Sequence, residues 1–143
     1  MNPGETQGFL IFLYKGVKMS NYLLRKVEIN TLAQARAEIQ KIGSDPAGIA
    51  LMVPKAVHFC LKVAKLRTKV CNILKQEMLS LGGEAAVHKH VIDAKVETSD
   101  ILLMGTVKQF SLLVRKLKAQ PFSLNKLAED IEELLKDKEI TGT

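Results

Sequence analysis

From Leu24 onward the apolar and polar positions fall into regular patterns whose period changes along the chain. Val27 and Ile29 alternate with Lys26 and Glu28, as in a strand with one covered face. Thr31 to Gln34 then forms a capping box, in which the threonine hydroxyl accepts a first-turn N–H and the glutamine reaches back. Leu32, Ala35, Ile39 and Ile42 follow at helical spacing, and Gly43 supplies a left-handed stop. The Ser-Asp-Pro-Ala-Gly stretch at 44–48 reads as a turn.

Ile49 to Val53 is an unbroken apolar run, which predicts a strand covered on both faces and ended, or left at an edge, by Pro54. His58 to Lys65 alternates again, with Phe59, Leu61 and Val63 on one face. Val70, Ile73, Leu74, Met78 and Leu81 trace a helix closed by Gly82 and Gly83, and a short segment from Glu84 to Val87 follows. Ile101 to Met104 is a second run of the buried-strand kind. It passes directly into Gly105 and Thr106, and Thr106 with Gln109 makes another capping box. Val107, Phe110, Val114 and Leu117 mark the helix beyond it, with Lys108, Arg115, Lys116 and Lys118 outside. Pro121 breaks the chain. Ser123 caps a last helix with Leu124, Leu127, Ala128, Ile131, Leu134 and Leu135 on one face.

Strands alternating with helices of about twelve residues imply an α/β fold with crossover connections. We expect a single compact domain over residues 19–136, with a mixed or mostly parallel sheet flanked by about four helices. Residues 137–143 are polar and expected to fray. Residues 1–18 carry three glycines, one proline and no period, which suits a flexible arm or an extra strand at 8–14. A second methionine, Met19, offers an alternative translation start.

Composition narrows the picture modestly. The chain has 143 residues, 47% hydrophobic and 25% charged, with no tryptophan. Scarce aromatics disfavour base stacking as a mode of nucleic-acid binding. The net charge of +6 divides unevenly, with the excess of base before residue 121 and an excess of acid after it. A scattered basic body is first a matter of solubility; nucleic-acid binding through the helix at 106–119 is the sharper alternative. Cys60 and Cys71 lie in apolar settings without metal spacing, and both are expected to be buried free thiols of a cytoplasmic protein. The run from Phe9 to Tyr14 is too short to span a bilayer.

Candidate chemistry gathers where Asp100 to Thr106 leads into a helix. Ligands of open α/β sheets sit beyond strand ends, where a helix N-terminus offers free N–H groups. Asp100, Gly105, Thr106 and Lys108, with Gly82 and Gly83, are therefore the candidate ligand-binding residues; the plainer reading is a tight turn and a cap. His88, His90 and Asp93 show a His-x-His spacing, yet no third ligand stands at a recognisable interval, so no metal or other cofactor is expected. No nucleophile elbow is present, and Glu129, Asp130, Glu132 and Glu133 form a solvated helix face. No catalytic residue is assigned.

Three stretches carry a family resemblance: DPAGIALMVPKA at 45–56, NILKQEMLSLGGEAA at 72–86 and DILLMGTVKQ at 100–109, continued to Gln120-Pro121-Phe122. Over Tyr22 to Leu135 the chain resembles the N-terminal extension that precedes the barrel in some bacterial dihydropteroate synthases. That family joins p-aminobenzoate to a hydroxymethyl-dihydropterin diphosphate on a TIM barrel, with magnesium assisting diphosphate departure. The barrel's signature stretches, NVTPDSF and DPGIGF, are absent here, and 143 residues are too few for a fold that needs ~250. The resemblance thus implies a non-catalytic accessory or assembly domain of folate biosynthesis. Its implied partner is the synthase barrel, with a homo-oligomer also allowed and no membrane involved. A stand-alone module for a pterin- or phosphate-type ligand is the alternative.

Overall fold

A computed structural model describes residues 17–19, 21–120 and 124–143. A hairpin of β1 (Val17–Met19) and β2 (Tyr22–Leu24) leads into α1 (Leu32–Ile42), α2 (Pro46–Met52) and a 3-10 turn (Val53–Lys55). Then come β3 (His58–Arg67), α3 (Thr68–Ser80), β4 (Glu84–Val87) and β5 (Thr98–Thr106). Helices α4 (Val107–Lys118), α5 (Leu124–Leu134) and α6 (Lys138–Thr141) complete the order. The expectations for residues 1–16, and for Pro121 and Ser123, lie outside the described residues.

The α/β class holds. The main sheet has the order β3-β5-β4, and both pairings are antiparallel. Strands β3 and β4 therefore run in the same direction, as the helical crossover through α3 demands. The antiparallel pairing arises because β5 returns from β4 and inserts between them. Periodicity reports faces and not strand order, so this insertion is invisible to it.

The apolar run at 49–53 is a helix and not the expected buried strand. Asp45 accepts the Ala47 N–H at 3.1 Å as an N-cap and Pro46 takes the first helical position, where its missing N–H costs nothing. Ile49 and Val53, four residues apart, are buried, while Leu51 is 67% exposed. Residues 26–29 form no strand; Ile29 packs inward and Val27 is exposed.

Both capping boxes form, at Thr31/Gln34 and Thr106/Gln109, and Gly43 ends α1 at φ +87°. The core has two parts. Ile101 and Leu103 of β5 pack with Leu74 and Met78 of α3, Phe110, Leu113 and Leu117 of α4, and Ile131 of α5. Phe59 stacks on Phe110 with ring centroids 4.3 Å apart. A smaller cluster joins Ala35, Ile49, Val53 and Val57 to Val107 and Ile140. Ile140 corrects the expectation of a frayed tail: Asp137 caps α6, Gly142 closes it at φ +77°, and the isoleucine is buried.

Candidate functional site

The C-terminal end of β5, the start of α4 and the end of α3 meet at one corner of the sheet. There His58, Gly82, Gly83, Glu84, Thr106 and Gln109 edge a shallow hollow of about 530 Å³. Its polar groups are largely committed to the fold. The Gln109 side chain accepts the Thr106 N–H at 2.9 Å and donates to the Leu81 carbonyl at 3.1 Å. Thr106 Oγ1 accepts the Gln109 N–H at 3.1 Å, and the Val107 N–H donates to the Val57 carbonyl at 2.9 Å. First-turn N–H groups that an anion would use are thus already bonded at two positions.

The candidate residues divide. Gly82, Gly83 and Thr106 edge the hollow, and Lys108 is exposed in the first turn of α4. Gly105 faces the other way, into the core: a Cβ there would collide with Met78 Cε and stand 2.9 Å from Gln109 Oε1. Its small size serves packing against α3. Asp100 lies five residues up β5, about 17 Å along the strand at 3.4 Å per residue. Its carboxylate accepts the N–H of Lys65, which has φ +54°, at 3.0 Å and so clasps the irregularity in β3 between Val63 and Leu66. It belongs to the sheet's far end.

The basic face of α4 is partly neutralised. Lys116 Nζ lies 3.6 Å from Glu77 and donates to Ser80 Oγ at 2.8 Å, and Lys118 reaches Glu132 of α5 at 2.7 Å. That contact, with the lysine's charge, holds the Glu132 carboxyl below its usual range. Arg115, Lys116 and Lys118 also occupy the last turn, where cations complement the helix dipole. Among the described residues, no group of three His, Cys, Asp or Glu side chains is placed to hold a metal ion. His90 instead contacts Asp93 at 3.2 Å and donates its N–H to His88 Nδ1 at 3.1 Å, within one loop. No helix among the described residues is long and apolar enough to cross a membrane.

One thiol departs from expectation. Cys71 is buried, and desolvation, aided by the nearby Asp100 charge, pushes its thiol up. Cys60 is exposed, because it shares the outward face of β3 with His58 and Lys62, opposite to Phe59, Leu61 and Val63.

That outward face was not singled out from the sequence. Cys60 pairs with Met104, which also pairs with Glu84; Lys62 pairs with Leu102, which pairs with Ala86. Leu102 is 37% exposed and Met104 only half-buried, whereas Ile101 and Leu103 on the inner face are buried. The signal was present in the run 101–104, whose apolar residues point alternately to both faces of the central strand.

No family model and no solved structure matches the chain. It does match curated proteins. It is 36% identical over 98 residues to the bifunctional dihydropteroate synthase/dihydropteroate reductase of Helicobacter pylori, covering 68% of this chain and 26% of that protein. It is 32% identical over 110 residues to a probable bifunctional folylpolyglutamate synthase/dihydropteroate synthase of Halobacterium salinarum, covering 77% of this chain and 13% of the relative. The corresponding Haloferax volcanii protein is 34% identical over 106 residues, 73% of this chain and 12% of its own length. The chain therefore spans about a quarter or less of each relative. It is a homologue of one short segment of bifunctional proteins that contain dihydropteroate synthase.

Proposed function

We propose that this chain is an accessory domain of dihydropteroate synthase, non-catalytic by itself, that associates with the synthase's catalytic barrel in the cytoplasm. One observation carries the reading: the similarity covers a small share of relatives that are named for the synthase. In the Helicobacter pylori protein the 98 matched residues are 26% of the length. Roughly 280 residues lie beyond the match, enough for an eight-fold barrel of ~250. A three-stranded antiparallel sheet offers no such barrel. On this reading synthase chemistry belongs to the unmatched part of the relatives.

Co-expression with the dihydropteroate synthase barrel of the same cell tests this. The expected result is a stable complex on size exclusion, together with no conversion of p-aminobenzoate and hydroxymethyl-dihydropterin diphosphate by the chain alone. Turnover by the isolated chain, or no association at micromolar concentrations, overturns it.

The convergence of Gly82, Gly83 and Thr106 on one hollow favours a second reading, a module for a pterin- or phosphate-type ligand. Calorimetric titration of the isolated chain with hydroxymethyl-dihydropterin diphosphate decides it. Heat that disappears in His58→Ala would support this reading, and no heat would remove it.

A further inference from the structure

The central strand β5 carries apolar side chains on both faces, but among the described residues helices cover only one. On the inner side Ile101 and Leu103 meet α3 and α4. On the outer side Leu102 and Met104 are flanked by Cys60 and Ala86, while His58, Lys62, Glu84 and Asp100 stand around them. An antiparallel sheet with a permanently wet face normally presents polar side chains there. A face with an apolar centre and a charged rim fits a covered surface. We propose that this face, centred on Leu102 and Met104, is the surface on which a helix from the outer ring of the synthase barrel seats.

The proposal rests on the accessory-domain reading, and two general packing rules together with one observation select the occupant. An α/β sheet whose central strand is apolar on both sides is completed by a helical layer on each, and the described residues supply one such layer. A (β/α)8 barrel presents an outer surface made of helices. The relatives carry the homologous segment in one polypeptide with a dihydropteroate synthase, so the two meet at the high effective concentration that tethering provides. Charge at the rim is mixed, with the Lys62–Asp100 pair at 3.7 Å on one side and Glu84 on the other. Such a rim sets the orientation of a partner more than its affinity.

The test uses the full chain and the barrel protein. Leu102→Lys is the disrupting variant, with Leu51→Lys, an exposed apolar position on α2, as control. Circular dichroism establishes that each variant is folded. Leu102→Lys should weaken the complex roughly tenfold or more, while Leu51→Lys leaves it unchanged. A maleimide should label Cys60 readily in the free chain and roughly tenfold more slowly in the complex. A complex that forms but is indifferent to Leu102→Lys, or leaves Cys60 equally reactive, overturns the docking face and leaves the accessory role standing. No complex with the unaltered chain overturns both. A homodimer of the free chain that Leu102→Lys dissolves would make a second copy the occupant and overturn the proposal. Slow labelling of Cys60 in the free monomer would do the same, since the chain's own residues would then cover the face.

Discussion

The side-chain amide of Gln109, in the first turn of α4, donates to the carbonyl oxygen of Leu81 at the end of α3, at 3.1 Å. The same side chain closes a capping box with Thr106, so one residue satisfies the beginning of one helix and the end of another. Gln109→Ala removes both bonds and should cost about 1–3 kcal/mol. Thr106→Ala removes only the threonine's share of the box and should cost about 1 kcal/mol. Urea unfolding of the two variants measures the difference; equal losses would mean that the Leu81 bond contributes nothing.

A Cβ at Gly105 would overlap Met78 Cε first, with Gln109 Oε1 the next atom at 2.9 Å. Gly105→Ala should destabilise the protein by about 1–3 kcal/mol through overpacking. Met78→Ala opens a cavity at its own cost of about 2–5 kcal/mol, and in that background the alanine at 105 should be much better tolerated. A double-mutant cycle by urea unfolding reads the coupling. Additive losses would remove Met78 as the reason for glycine at this position.

Much of the fold was legible because its signals are local. The two capping boxes, the Gly43 stop and the faces of α1, α3, α4 and α5 each depend on residues within about one helical turn of one another. The sequence misleads where the local pattern is ambiguous or where a longer-range fact decides. Ile49 to Val53 read as a strand because an apolar run of five has no period to settle its type; the Asp45-Pro46 cap was the overlooked signal. The antiparallel insertion of β5 depends on the path of residues 88–97, which carry no strand or helix pattern. At the site, the glycines and Thr106 are legible in the sequence, whereas Asp100 joins them only by proximity along the chain. A strand separates its two ends by its full length.

The tail provides a further check on packing. Ile140 inserts into the smaller core beside Ala35, and the ideal Cβ position at Gly142 lies 2.6 Å from Thr31 Oγ1. Ile140→Ala should cost about 2 kcal/mol or more, close to the lower end for a buried isoleucine. Amide hydrogen exchange should then quicken in α1 as well as in α6. Exchange confined to 137–143 would show that the tail is not packed against the first helix.

The two thiols should separate cleanly. Cys60 is exposed and should react with a thiol reagent at neutral pH in the folded chain, whereas Cys71 should react only on unfolding. The Cys71 Sγ lies 3.6 Å from the Ser99 carbonyl and 3.7 Å from that of Leu66, contacts that suit a protonated thiol. Its folded value is raised above the unfolded one. Stability linked to this group is therefore complete below about pH 8.5 and declines as the pH rises through the folded value. Cys71→Ala should flatten that alkaline decline in melting temperature. An unchanged slope would mean that another group is responsible.

The Lys118–Glu132 contact tests how α4 is tied to α5 from the acidic side. The Glu132 carboxyl is lowered chiefly by its hydrogen bond from Lys118, then by the lysine's charge, with Lys136 adding a smaller pull. A group whose folded value is depressed stabilises the fold above its unfolded value, near 4.3 for glutamate. That contribution disappears as the pH falls through the lower folded value. Both side chains are nearly half exposed, so the effect is small and weakens with added salt. Melting temperatures of the unaltered chain and of Glu132→Gln should differ at pH 7 and low ionic strength, with glutamine the lower. The gap should close once the pH is below the folded value, and should shrink at high salt. A gap that persists at low pH would assign the effect to packing of the side chain and not to its charge.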